Sequence, residues 1–227
     1  MISDVIKKRI VDANARYWAG DNISEFIYDE LEREDLIDEV TERFEDVIDS
    51  LLIDRHGDPN SQGTGRRLAK MYINEIMSGR YNPRPVATAF PNDSEERYSG
   101  MLVVRSELKS MCSHHHQPVT GIAYIGIIPG DKVIGLSKYT RIAQWCARRG
   151  TLQEELCNDI AREIRAATDS NNVAVYIQAT HGCCENRGIG AHSSLTQTTV
   201  LNGEFNNADV KKEFFDNVKL QQEFAPR

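Results

Sequence analysis

Residues 110–121 read Ser-Met-Cys-Ser-His-His-His-Gln-Pro-Val-Thr-Gly, which sets the thiol of Cys112 beside the imidazoles of His114, His115 and His116. Five of the six histidines lie between positions 114 and 192, and His181-Gly-Cys183-Cys184 forms a second dense group. Thiolate and neutral imidazole are the ligand types zinc prefers, and three protein ligands leave a fourth position for water. A Cys-x-x-His pair plus a distant Cys is therefore a candidate catalytic zinc site. Clustered histidines also occur as surface residues or as satisfied core residues, so spacing alone leaves both readings open. Two zinc classes are excluded. The chain has no His-Glu-x-x-His of a metalloprotease, and no His-x-Glu followed by Pro-Cys-x-x-Cys of a nucleobase deaminase.

Other residue types point to an anion. Ser137-Lys138-Tyr-Thr-Arg141 puts two cations into the first turn of an expected helix, where the helix dipole disfavours them. Either Ser137 caps the helix and the long side chains bend into solvent, or backbone N–H groups, Lys138 and Arg141 converge on phosphate. Arg66-Arg67, also at a helix start, carries the same ambiguity. Thr151-x-x-Glu154 has the spacing of a capping box. The alternative for Glu154 is to accept a pair of hydrogen bonds from guanine N1–H and N2–H, which spacing does not reveal.

The elements that must position these groups follow from periodicity. Residues 3–18 read as a helix capped by Ser3 and broken by Gly20-Asp21-Asn22. Ser24 caps a second helical stretch to about residue 52. That stretch holds twelve Asp/Glu against two Arg, a net charge of -10, and reads as a solvated helix face. A loop at 54–64 precedes a helix that opens at Thr64 and stops at Gly79, and three prolines make 80–99 an irregular connection. Strands are expected at 101–108 and 119–128, helices at 137–150 and 151–167, strands at 173–179 and 195–205, and a polar helix from about 209. Segregated strand and helix runs of this order predict an α+β domain with an antiparallel sheet. The length suits one large domain with an appendage, divided here as 1–62 and 63–227.

Composition narrows the class. With 227 residues, 40% of them hydrophobic, the chain is long enough to bury a sizeable core. A net charge of -7 and a pI near 5.4 argue against a nucleic-acid partner. The first residues lack the character of a signal or transit peptide, and no apolar run reaches membrane-spanning length. The five cysteines then read as reduced thiols or metal ligands of a soluble cytoplasmic protein without a membrane partner.

From 111 to 205 the chain resembles the GTP cyclohydrolase I family. The resemblance is carried by Cys-Ser-His-His at 112–115, Val-Ile-Gly-Leu-Ser-Lys-x-x-Arg-Ile at 133–142 and Arg-Arg-x-x-Leu-Gln-Glu-x-Leu at 148–156. Ala-Thr-His-Gly-Cys at 179–183 with Arg187-Gly188, and Thr64-Gly-Arg-Arg67-Leu-Ala-Lys-Met-Tyr upstream, complete it. It implies Cys112, His115 and Cys183 as zinc ligands, and His114 and His181 as proton-transfer residues with Gln153 beside them. It further implies Glu154 as the guanine acceptor, against the capping reading. Ser137, Lys138, Arg141 and Arg187 would bind the triphosphate of GTP, joined by Arg67 of a neighbouring subunit. The implied fold is the tunnelling fold: a four-stranded antiparallel sheet with two helices between its second and third strands, and N-terminal helices in addition. The implied assembly is a homodecamer of two stacked five-membered barrels, and the implied reaction converts GTP to 7,8-dihydroneopterin triphosphate and formate.

Three positions depart from the family pattern. Ser113 stands where Glu is usual, His116 where Phe is frequent, and Gly65-Arg66 where Pro-His is usual. Ser113 keeps two other readings in view, a cyclohydrolase for a modified or deoxy guanine nucleotide and a non-catalytic nucleotide-binding oligomer. If 114–116 is extended, His116 shares a face with His114; if 183–184 is extended, the two thiols point to opposite faces.

Overall fold

The computed structural model describes residues 1–93 and 97–224. The chain forms two compact units, Met1–Pro83 and Arg84–Arg227. It is an α+β protein with antiparallel sheets and several helices.

The N-terminal unit is helical. Helix α1 (Ile2–Asp12) is shorter than its periodicity predicts, because Asn14 turns left-handed at φ 52. Ser3 does not cap it; its N–H and Oγ–H both donate to the Glu39 carboxylate. The second helical stretch also differs from expectation. Ser24 opens only a 3₁₀ turn, and α2 (Glu30–Ser50) starts at Asp29, whose side chain accepts from the Glu32 N–H. Helix α3 (Thr64–Lys70) runs into a π turn over Met71–Ile76, then α4 (Ser78–Tyr81). Ile6, Ile10, Leu36, Ile37, Ala69 and Ile73 form the core of this unit. The acidic face of α2 is partly neutralised from within, since Arg66 pairs with Asp38 and Glu34 and Arg55 with Glu45 and Asp49. Arg66 thus has its charge partners on α2.

The larger unit is built on a sheet. A short strand β1 (Ala89–Pro91), inside the connection expected to be irregular, pairs with β4 (Lys132–Ile134). Of that connection, positions 94–96 lie outside the described residues. The main sheet runs β2-β3-β5-β6, all antiparallel: β2 (Leu102–Met111), β3 (Pro118–Ile127), β5 (Val173–His181) and β6 (Thr196–Leu201). Between β4 and β5 come α5 (Leu136–Ala147) and α6 (Gln153–Thr168), with α7 (Gly182–Glu185) after β5 and α8 (Ala208–Glu223) last.

The two central strands read as nearly continuous apolar runs because both of their faces are covered. One face carries Ala123, Ile125, Ile127, Val175 and Ile177 against Ile142, Cys146, Leu156, Ile160 and Ile164 of α5 and α6. Each such aliphatic side chain contributes about 1.5–3 kcal/mol by leaving water. The other face packs Tyr124 and Tyr176 with Phe205, Phe214 and Val218. Gly126 is required there, since a Cβ would stand 2.7 Å from the Phe214 ring. Among the described residues, no helix is long and apolar enough to cross a membrane.

Candidate metal and nucleotide site

The β3–β5 register builds the site. Val119 pairs with His181, so the residues following β5 stand beside the loop that joins β2 to β3. Cys112 closes that loop, donating its N–H to Gln117 O at 2.9 Å, and its own carbonyl accepts from the His116 N–H at 3.0 Å. Residues 113–115 form a turn and His116 takes a left-handed φ of 51. The segment is not extended, so the premise that paired His116 with His114 on one face fails. Strand geometry also fails for the two thiols at 183 and 184, which lie in α7. Gly182 admits that helix: a Cβ there would press on Pro118 at 3.1–3.2 Å.

One ligand atom each of Cys112, His115 and Cys183 lie within 4.8 Å of one another. Cys112 is buried, Cys183 half-buried and His115 exposed. Two soft thiols and an imidazole, open to solvent on the histidine side, suit a zinc ion with room for a further ligand. Burial, and then the neighbouring Cys112 and Cys184 thiols, push the Cys183 thiol up to about 11. Cys146 and Cys157 are buried in the core under α5 and α6, where desolvation lifts both well above the usual thiol range. They are core thiols.

His181 ends β5, and its Nε2 lies 2.7 Å from Gln153 Oε1. The amide of Gln153 is itself fixed. Its Nε2 donates to Thr196 O and Thr198 Oγ1, both at 3.2 Å, and to Ile177 O at 3.4 Å. With acceptors around the nitrogen, the Gln153 oxygen must face His181. His181 then carries its proton on Nε2 and offers the Nδ1 lone pair. Burial lowers the His181 pKa, opposed by the Glu154 and Glu185 carboxylates. The side chains of His114 and His115 meet edge to face with centroids 6.3 Å apart.

Glu154 is exposed in the first turn of α6 and does not form the capping box. Thr151 donates its hydroxyl to Glu155 Oε2 at 2.6 Å instead. The capping-box spacing points to the wrong carboxylate because the helix starts at Gln153, one residue later than a Thr151 cap requires. Ser137, Lys138 and Arg141 sit in the first turns of α5, whose N-cap is Gly135 without a side-chain cap. Ser137 is thus not the cap, and among the described residues neither Lys138 nor Arg141 forms an ion pair. Arg187, in the loop after α7, approaches His115 Nε2 with Nη1 at 3.1 Å. Arg67 belongs to the N-terminal unit, where it donates to Asn60 O, Gln62 O and Thr64 Oγ1. The structure therefore joins Cys112, His115, Cys183 and Arg187 in one cluster and Gln153, His181 and Glu154 in another. No hydrogen bond or ion pair among the described residues joins the α5 cations to either. Sequence reasoning missed the Thr196 and Thr198 seat of Gln153, for which a strand register is the only signal.

Residues 40–219 match the family model described as GTP cyclohydrolase I. The chain is 35% identical over 192 residues to a GTP cyclohydrolase 1 of Flavobacterium johnsoniae, covering 84% of this chain and 85% of that protein. It is 38% identical over 176 residues to the Aeromonas salmonicida GTP cyclohydrolase 1, covering 76% and 79%. A GTP cyclohydrolase 1 of Yersinia enterocolitica is 38% identical over 193 residues, covering 84% and 86%.

Proposed function

The chain belongs to the GTP cyclohydrolase I family, and from that premise we propose that it hydrolyses GTP to 7,8-dihydroneopterin triphosphate and formate. Two waters are taken up as the guanine imidazole ring opens at C8 and that carbon leaves as formate, and one is returned when the rearranged ribose closes onto the freed amine to form the pterin ring, a net uptake of one. The observation that carries the reading is the convergence of Cys112, His115 and Cys183 within 4.8 Å, a donor set of the right chemistry for zinc. Bound there, zinc supplies a water whose pKa falls towards neutrality.

The chain's own residues do the rest. The Glu154 carboxylate accepts N1–H and N2–H of guanine, a match that a neutral cap does not provide. Ser137, Lys138 and Arg141, with the free N–H groups of the α5 N-terminus, hold phosphate oxygens, as does Arg187. His181, held by Gln153 with Nδ1 unprotonated, receives a proton at that atom, and His114 serves as a second carrier. Arg67 reaches the triphosphate from a neighbouring subunit of a tunnelling-fold decamer, and the product enters pterin synthesis.

Incubation of the zinc-loaded protein with GTP tests the reading directly. Stoichiometric formate and a pterin of the mass of dihydroneopterin triphosphate are expected. GTP bound without formate release would overturn it. An active monomer in light scattering would remove Arg67 from the site.

A further inference from the structure

Helices α5 and α6 meet at a five-residue corner, Arg148 to Leu152, in which Arg149, Gly150 and Thr151 are buried. The Arg149 side chain is only 4% exposed. Both terminal nitrogens and the flat face of its guanidinium are engaged. Nη1 lies 3.6 Å from Asp159 Oδ2 in the second turn of α6, and Nη2 lies 3.6 Å from Cys146 Sγ in the last turn of α5. Its Cζ stands 3.6 Å from the centroid of the Trp145 ring. Asp159 is anchored from its other oxygen by Arg162 Nη2 at 2.7 Å. Gly150, at φ 77, lets the chain reverse within the corner.

A buried cation with so few alternatives holds its surroundings in one arrangement. A planar guanidinium can stack on an indole and bond through two edges at once, which an ammonium cannot. The two helices it ties carry different halves of the proposed nucleotide site. The start of α5 bears Ser137, Lys138 and Arg141, and the start of α6, four residues after Arg149, bears Gln153 and Glu154. We propose that Arg149 is a positioning residue: it fixes the α5–α6 corner and so sets the base-recognising carboxylate of Glu154 relative to the phosphate-binding turn of α5. The inference rests on the reading of Glu154 as the guanine acceptor. Arg149 touches neither substrate nor metal in this scheme and acts through the backbone that presents Glu154.

The test separates base recognition from phosphate recognition. Inosine triphosphate lacks the guanine N2–H, so the ratio of kcat/KM for GTP to that for inosine triphosphate reports the placement of Glu154. Inhibition by inorganic tripolyphosphate reports the α5 half alone. In Arg149→Lys, which keeps the charge but loses the fork and the stack, the GTP preference falls by about ten-fold, since displacements near 1 Å carry penalties of that order or more. Tripolyphosphate inhibition stays within about two-fold of wild type. Asp159→Asn, which weakens the same anchor without altering size, moves the ratio in the same direction and decides the matter if Arg149→Lys fails to fold. An unchanged ratio in the folded variants, or an equal loss of tripolyphosphate binding, overturns the inference. If Glu154→Gln itself leaves the ratio unchanged, the guanine reading falls, and this inference with it. A ratio that responds to Glu154→Gln but to neither Arg149→Lys nor Asp159→Asn removes this inference alone.

Discussion

Gln153 Oε1 and His181 Nε2 stand 2.7 Å apart, and three acceptors behind the Gln153 amide leave its oxygen no other direction to face. A helix start and a strand end are thereby joined through one side chain. The consequence is a histidine whose ring orientation and tautomer are set before substrate arrives.

Gln153→Met removes that acceptor at nearly constant volume. We expect kcat for formate release to fall by about 10²-fold, the scale of a misplaced proton-transfer group, with zinc content unchanged and a small change in KM. Zinc lost along with activity would instead place Gln153 in the support of the metal cluster. Steady-state kinetics and metal analysis on the same preparation distinguish the two.

Removal of any one of Cys112, His115 or Cys183 is expected to strip zinc and turnover together, because the other two donors no longer close a stable site. Cys146→Ser and Cys157→Ser keep zinc, their thiols being enclosed in the core. Metal content after exhaustive dialysis is the measurement. A Cys183→Ser protein with full zinc and full turnover would transfer the ligand role to Cys184.

The two neighbouring carboxylates at the start of α6 are expected to separate cleanly. Glu154→Gln lowers kcat/KM for GTP by about 10²-fold or more, since a matched anionic acceptor is lost, and leaves the melting temperature unchanged. Thr151→Val, which breaks the bond to Glu155, costs about 1 kcal/mol of stability and leaves KM alone. Effects that crossed over, with Glu154→Gln destabilising the fold at unchanged kinetics, would return Glu154 to a capping role.

In the N-terminal unit, Glu32 receives two hydrogen bonds from Arg9, at 2.6 and 2.7 Å, and one from the Tyr28 N–H at 2.9 Å. Those bonds, led by Arg9, hold its carboxyl down to about 2 from an ordinary value of 4.5. A carboxylate depressed on folding adds stability above its unfolded pKa and loses it as pH falls through the folded one. Glu32→Gln should therefore melt below wild type at pH 7, with the gap closing between about pH 4.5 and pH 2. Thermal melts across that range check it, and a gap independent of pH would deny the ion pair its role.

The sequence alone determined the chemical types present and the order of the elements. Cys112 with its histidine run, and His181-Gly-Cys183, are each dense local clusters, so their identity as a ligand pool needs no coordinates. The helix and strand order was legible for the same reason, because apolar periodicity is written locally. Helix ends were less so. Ser3 and Ser24 have the look of caps, yet Ser3 bonds Glu39 of another helix and Ser24 bonds Asn22. A hydroxyl takes whichever acceptor packing brings nearest, and packing is not local. The meeting of an imidazole with both thiols was likewise a tertiary decision. The Cys-x-x-His spacing names His115 but does not show that it meets Cys183; the turn at 113–115, the left-handed His116 and the pairing of Val119 with His181 bring His115 to both thiols. The choice of Glu155 over Glu154 as the partner of Thr151 has the same origin. A one-residue difference in where a helix begins rotates the next carboxylate by about 100°, and that rotation leaves Glu154 exposed to solvent.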